Sequence, residues 1–528
     1  MAARVPTFDV TAGAPSELAS AGATARVHGS AACPAPVTGW RRVAADWMVV
    51  SGATGVCHLL GAATSLLLKL LLTPAQMGVW QAVKLFLNYG NYANLGVSKG
   101  AVRDFTIALG QGHTAKAKRG LDLAFTVNTL SSVAYAVVLI GVGAWIGLSG
   151  GGAWAGAWAG GLAVVGALAV LSRYVTFHVT ILRAKQDFKA TSQLSILEAV
   201  LTLAVCGLAA WRWGLWGLYL ATLTVLVAGL IFVWRRRAVT LNWAWDQHEI
   251  GRLIAIGGPI LLAGTVSTLF RSLDKLMILG YLSDREYQLG CYSAALMVTV
   301  QLYGLGNMLS MVMGPRYAET FGRSGDRGAV AQLAARATEL TAAAIALPAG
   351  LAIVAAPAVL GRLLPDYQPG LAPLVWLVPG VVALCVALPA AQYLVAVKYQ
   401  NRALAAVAAA TLLAALGNHL ALAGGYGLVG VAAATALGYV VYSVLAVSIS
   451  LWPQLDRPVR RRYLAMLGLT LVPTVGLAIA LERLQPGVAA GCLTTLTKVV
   501  LVALVWAVTV LIGWHHGGWA AATGRPHR

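Results

Sequence analysis

Apolar runs of about 20 residues, the length that takes an α-helix across a bilayer, recur along the chain from residue 47 to residue 513, with charged residues clustered in the gaps between them. This pattern constrains the fold more than any other feature. Of the 528 residues, 59% are apolar and only 11% charged, whereas a soluble domain carries about 25% charged residues. Too little charge is present to cover a water-facing surface. The fold class expected is an all-α polytopic membrane protein.

About fourteen transmembrane helices are predicted, at roughly 47–71, 78–98, 121–147, 156–177, 192–211, 214–234, 253–280, 289–313, 336–357, 371–395, 402–422, 426–450, 463–482 and 490–513. The distribution of Lys and Arg orients them, because these residues accumulate in cytoplasmic loops. With both termini inside, no outer loop holds more than one cation, and the outer loops together hold four (Arg212, Arg285, Arg362, Arg483). The inner segments hold clusters such as Lys116, Lys118 and Arg119, or Arg460, Arg461 and Arg462. The formal net charge of +20 is therefore a topology signal, and no nucleic-acid partner is expected. Residues 1–44 lack a long apolar run and are interrupted by Asp9 and Glu17, so they read as a disordered cytoplasmic tail, not as a signal peptide. The six cysteines show no CxxC or metal-ligand spacing and read as packing residues. No metal site or cofactor is expected, and without a nucleotide-binding loop an ATP-driven pump is not expected either. Trp154, Trp158, Trp211, Trp213, Trp216, Trp234, Trp243 and Trp245 cluster near span ends, as interfacial belts do.

A weak internal repeat is visible. Gly78-Val79-Trp80 opens span 2, which runs into Lys99 and Arg103; Gly290-Cys291-Tyr292 opens span 8, which ends at Gly314-Pro315-Arg316. The arrangement expected is two six-helix lobes around a central cationic cavity plus two extra C-terminal helices. The corresponding boundaries are a tail over 1–44, lobes over 45–237 and 238–455, and the extra pair with a short tail over 456–528.

Charged and polar residues inside spans indicate function, because a charge at a helix centre costs about 2.5–3.5 kcal/mol on insertion scales and usually faces a bundle interior or a wet cavity. Here they form helical stripes: Ser51, Thr54, His58, Ser65 and Lys69 in span 1; Gln81, Lys84, Asn88, Asn91 and Ser98 in span 2, with Tyr89 and Tyr92 beside them. Ser267, Arg271 and Asp274, with adjacent Lys275, mark span 7. Tyr303, Asn307 and Ser310 mark span 8, where Gln301 points to another face. The cations outnumber the acids and favour an anionic ligand. Candidate substrate-binding residues are Lys69, Lys84, Asn88, Asn91, Arg271, Lys275, Gln301 and Asn307. Asp274 and Glu198 are candidates for ion coupling, and Lys99, Arg103, Arg183 and Lys185 for a cytoplasmic entrance. Bland readings stand beside these. Lys69 and Lys275 could snorkel to the outer interface, Arg271 and Asp274 could be a structural ion pair, and Glu198 could be an interfacial acid. His58 and Lys498 have no nameable partner.

Three segments carry a family resemblance: Leu71-Leu72-Thr73-Pro74-Ala75-Gln76-Met77-Gly78-Val79-Trp80, Leu182-Arg183-Ala184-Lys185-Gln186-Asp187-Phe188, and Arg271-Ser272-Leu273-Asp274-Lys275-Leu276-Met277-Ile278 running on to Gly290-Cys291-Tyr292 and Gly314-Pro315-Arg316-Tyr317. The chain resembles the Wzx-type polysaccharide flippases of the multidrug/oligosaccharidyl-lipid/polysaccharide exporter (MOP) superfamily over roughly residues 47–330, and mainly in hydropathy beyond. The resemblance implies alternating-access transfer of a polyprenyl-pyrophosphate-linked oligosaccharide across the bacterial cytoplasmic (inner) membrane for cell-surface polysaccharide export. It makes Arg271, Asp274 and Lys275 the site residues carried over. The implied partners are the anionic lipid-linked oligosaccharide, membrane lipids, and a polysaccharide polymerase with its export machinery. A cation-coupled drug exporter of the same superfamily is the first alternative, disfavoured by the basic interior. A membrane glycan polymerase or ligase is the second, disfavoured by short outer loops; no enzymatic activity is expected.

Overall fold

The computed structural model describes residues 40–110, 114–149, 154–185, 187–236, 241–488 and 491–515. They form fifteen α-helices in chain order: α1 (Trp40–Leu71), α2 (Pro74–Gly90), α3 (Val97–Gly110), α4 (Thr114–Ser149), α5 (Ala155–Ala184), α6 (Phe188–Leu201), α7 (Gly207–Arg236), α8 (Gln247–Tyr281), α9 (Arg285–Ser324), α10 (Arg327–Leu363), α11 (Ala372–Ala396), α12 (Gln400–Ala423), α13 (Gly427–Ser450), α14 (Arg457–Leu484) and α15 (Cys492–His515). A π-helical turn, Thr202–Cys206, joins α6 to α7. The tail expected over 1–44 lies mostly outside the described residues, and residues 40–44 already belong to α1.

Among the described residues, twelve helical runs are long and apolar enough to cross a membrane. One of them, Phe188–Arg236, spans 49 residues and doubles back at Gly214, whose φ of 57° and ψ of −134° are not helical. A Cβ on Gly217 would overlap the Ala209 carbonyl oxygen, and one on Gly229 would lie 3.0 Å from Glu198 Oε1, so the two arms run antiparallel. This run makes two passes. The span expected over 78–98 is not one helix: α2 stops at Gly90 and α3 starts at Val97, with Leu95 (φ 52°) and Gly96 (φ 87°) left-handed between them. With the hairpin counted twice and the broken α2–α3 segment once, the expected fourteen passes are all accounted for. The protein is a multi-pass membrane protein.

Local chemistry fixes the helix starts. Thr73, Pro74 and Gln76 build the start of α2: Gln76 N donates to Thr73 Oγ1 at 3.4 Å and Thr73 N donates to Gln76 Oε1 at 3.1 Å. This is a capping box with proline in the first turn, where its missing N–H costs nothing. Asp187 caps α6 through Ala190 N at 3.0 Å, and Asp246 caps α8 through Glu249 N at 3.2 Å. Two of the segments carrying the family resemblance therefore contain helix-start devices. Pro259, Pro348, Pro379, Pro389 and Pro473 lie inside helices that continue through them. Buried threonines return their hydroxyls to the preceding turn, as Thr64 does to the Leu60 carbonyl at 2.8 Å, which removes the cost of an orphan donor in apolar surroundings.

The helices pack through small residues, as membrane helices do when backbones approach closely. A Cβ on Gly78 would overlap the Glu286 carbonyl oxygen, and one on Gly290 would overlap that of Pro74. Each glycine lies four residues after the residue whose carbonyl the other covers, so α2 and α9 meet reciprocally, and the Gly78/Gly290 repeat seen in the sequence is a joint. At the break between α2 and α3, Gly96 and, one turn on, Gly100 press against Gly257 and Leu253 of α8. The chain's last two helices, α14 and α15, pack on each other and on α10.

Candidate functional site

A cavity of ≈410 Å³ opens in the first half of the chain, walled by α1, α2, α6, the π turn and α7. Thr64 and Ser65 of α1, Gln81 and Lys84 of α2, Glu198 of α6, Thr202 of the π turn and Thr222 of α7 are its polar lining. Lys84 is exposed although it sits mid-helix. Its ammonium lies 5.8 Å from the centre of the Trp80 ring, a cation–π approach, and forms no ion pair among the described residues. Glu198, solitary in sequence, stands on the same wall. Lys69 is turned inward, 3% exposed, and donates to Ser65 Oγ at 3.1 Å; it does not snorkel outward. A lining of hydroxyls, an amide, one cation and one carboxylate can hydrogen-bond a polyhydroxylated or anionic group.

The second polar cluster lies on α8 and α9, and none of its residues lines that cavity. Arg271 is exposed; its Nη1 donates to Tyr303 OH at 2.7 Å and its Nε to the Ser267 carbonyl at 3.2 Å. Asp274 is 2% exposed and accepts from Tyr292 OH at 2.9 Å and from Lys275 N at 2.8 Å. Arg271 and Asp274 are thus not an ion pair; each is held by a tyrosine of α9. The side chain of Lys275 is half-buried. Gln301 and His58 bond at 3.2 Å, which supplies the histidine partner that the sequence does not name and ties α1 to α9. Asn307 donates to Met311 Sδ at 3.5 Å. Tyr89 bonds Ser272 at 2.6 Å and Tyr92 bonds Thr268, so α2 and α8 are joined beside the exposed residues Asn88, Asn91 and Arg271.

At the end of the bundle with the basic loops, Lys99 and Asn91 line a second cavity of ≈450 Å³, together with Arg173 of α5. Arg103 lines a neighbouring recess of ≈350 Å³ with Asp104, Pro259 and Gln400, where Arg252 pairs with Asp104 at 2.6 Å. Arg183 and Lys185 are exposed at the end of α5 and line neither space. The expected entrance residues therefore divide between two recesses and an outer surface. Arg173 is not among the site residues expected from the sequence. The signal that marks it is the stripe Arg173, Thr176 and Thr180, at steps of three and four residues, all on the cavity wall.

Two further expectations are corrected. Lys498 is partnered: its Nζ lies 3.3 Å from Glu482 Oε2 and also donates to the Gln485 carbonyl, with both side chains under 10% exposed. It is a structural pair between α14 and α15. Trp158 donates to Glu286 Oε1 at 2.7 Å and is a contact between helices, unlike Trp211, Trp213, Trp216, Trp234, Trp243 and Trp245, which are exposed as a belt requires. Among the described residues, no group of three His, Cys, Asp or Glu side chains could hold a metal ion.

The fold is that of the MOP-superfamily transporters. A lipid II flippase (MurJ) in an inward closed conformation superposes with a TM-score of 0.67 at 11% identity, over 89% of this chain and 99% of its own. An inward-facing multidrug resistance transporter of the MATE family gives 0.59 at 16% identity, over 80% and 98%. A MOP-superfamily transporter from Pyrococcus furiosus gives 0.55 at 16% identity, over 81% and 95%. A comparison with curated proteins gives no match. A family profile described as polysaccharide biosynthesis protein matches residues 67–364, more than half of the chain. The chain belongs to this family.

Proposed function

We propose that the protein is a flippase that moves a polyprenyl-pyrophosphate-linked oligosaccharide across the bacterial cytoplasmic membrane by alternating access, for cell-surface polysaccharide export. The observation that carries this reading is Lys84: an accessible ammonium in the middle of a membrane helix, lining a cavity with Ser65, Gln81, Glu198, Thr202 and Thr222. Such a charge is costly in hydrocarbon and is retained where it faces water or an anion. A chain of the polysaccharide biosynthesis family with a transporter fold supplies the context. Arg271, Lys275, Asn88 and Asn91 would meet the pyrophosphate and sugar hydroxyls as the substrate passes between helices, and Glu198 and Asp274 would couple an ion. Both termini lie in the cytoplasm in this reading, and residues 45–237 and 238–455 move as two lobes with 456–528 appended. The joints Gly78–Gly290 and Gly96–Gly257 close the two ends. The protein needs no enzymatic step and works beside a polysaccharide polymerase and export machinery.

Replacing Lys84 or Arg271 with Ala is expected to abolish surface glycan, with the protein still in the membrane and lipid-linked sugar accumulating on the cytoplasmic side. Normal export in both variants would overturn the proposal. Drug resistance in cells overproducing the protein, with glycan export indifferent to its deletion, would favour a drug exporter.

A further inference from the structure

Arg271 is exposed within a membrane-crossing helix, and its neighbours on α8 fix where it points. Successive residues of a helix turn by about 100°. On one side of Arg271, Thr268 and Ser272 bond Tyr92 and Tyr89 of α2. On the other, Phe270 meets Tyr439 and Tyr442 of α13 edge to face, and Asp274 accepts from Tyr292 of α9. With helices on both flanks and its own direction open, Arg271 projects into the space between α2 and the α9 and α13 helices, not into lipid. A guanidinium there is retained where it meets water or an anion. Its Nε is taken by the Ser267 carbonyl and its Nη1 by Tyr303 OH at 2.7 Å, both in exposed bonds, while its Nη2 meets no acceptor among the described residues. The Tyr303 oxygen accepts from Arg271, so its own O–H stays available as a donor, and it too meets no acceptor among the described residues. Hydrogen bonds in a chain polarise one another, so a phenol that accepts from a cation becomes a stronger donor. The nearest acid cannot compete, because Asp274 is 2% exposed and held by Tyr292.

We infer that Tyr303 is a ligand-binding residue: its O–H and the free Nη2 of Arg271, yoked by the bond between them, form a clamp for one oxyanion, a phosphate or a carboxylate. The tyrosine both holds the guanidinium still and adds a neutral donor beside the charged one. The identity of the occupant rests on the flippase reading. On that reading it is the pyrophosphate of the lipid-linked oligosaccharide or the carboxylate of an acidic sugar within it.

The test uses the full-length protein in phosphatidylcholine nanodiscs, titrated calorimetrically with inorganic pyrophosphate and, separately, with glucuronate. Tyr303→Phe keeps the ring and loses only the hydroxyl; anion binding is expected to weaken about tenfold, as for one hydrogen bond to a charged group, with little change in melting temperature. A tyrosine that served only structure would shift the melting temperature and leave affinity alone. Arg271→Lys, which keeps the charge but loses the planar fork, should weaken binding as much. Adding Tyr303→Phe to Arg271→Ala should cost little more than Arg271→Ala alone, because the two act as a unit. No binding of either anion by the wild type, unchanged affinity in Tyr303→Phe, or fully additive losses would overturn the clamp. A loss confined to pyrophosphate assigns the clamp to the pyrophosphate of the substrate, and a loss confined to glucuronate assigns it to an acidic sugar. Normal export by Lys84→Ala and Arg271→Ala cells alongside Tyr303-dependent binding would remove the flippase reading and leave the clamp standing. Export lost in those cells with unchanged affinity in Tyr303→Phe would remove the clamp alone.

Discussion

The first and second halves of the chain carry similar stripes of polar and charged residues, yet they treat their charges differently. On α2, Lys84 stands on an open wall with an aromatic face beside it. On α8, Asp274 is sealed beneath Tyr292 and Arg271 is tied to Tyr303. The repeat explains part of this contrast. Tyr292 occupies in Gly290-Cys291-Tyr292 the place that Trp80 occupies in Gly78-Val79-Trp80. The Tyr292 phenol donates to Asp274, whereas the Trp80 ring lies beside the Lys84 ammonium on the cavity wall. A charge in a membrane helix is therefore not one kind of evidence. Its partner decides how freely it can meet a ligand.

Several substitutions test this contrast, starting with the joint that holds the halves together. Gly78→Leu or Gly290→Leu drives a side chain into a backbone carbonyl that cannot yield; the expected cost exceeds about 4 kcal/mol, read as loss of folded protein from the membrane. Next is a charge kept purely for structure. Lys498→Met strands the buried Glu482 and should cost about 3–5 kcal/mol, with much of the loss recovered by adding Glu482→Gln, measured by thermal melting in detergent. Asp274→Ala leaves the fully buried Tyr292 hydroxyl without its acceptor, an expected loss of about 1–3 kcal/mol. Lys84→Ala, which breaks no hydrogen bond among the described residues, should change stability by less than about 1 kcal/mol while stopping export. Equal melting shifts for Asp274→Ala and Lys84→Ala would erase the distinction between the halves. The smallest effect is expected for Tyr303→Phe, about 1 kcal/mol or less for one exposed hydrogen bond, and it should free Arg271 to move.

The number and course of the membrane passes were legible because hydrophobic length is a one-dimensional property: each run announces itself without knowledge of its neighbours. The break between α2 and α3 was not, since it depends on Leu95 and Gly96 taking left-handed backbone, and Leu gives no sign of that. The polar stripes of spans 1 and 2 led to Ser65, Gln81 and Lys84 on one cavity wall. Sequence could not show that Glu198 joins them across the bundle, that His58 meets Gln301, or that Lys498 meets Glu482. Those pairings bring together residues from different helices, and helical periodicity carries no information about what a face meets.

The reciprocal contact of Gly78 and Gly290 has a mechanical consequence. Two helices seated there on each other's carbonyl oxygens have no interlocking side chains to withdraw at that point, and the peptide groups exposed by parting them already have partners within their own helices. Sliding by one residue would put Met77 or Val79, or Leu289 or Cys291, where only a hydrogen fits. The junction is thus a clasp, easy to undo and able to snap shut in a single alignment.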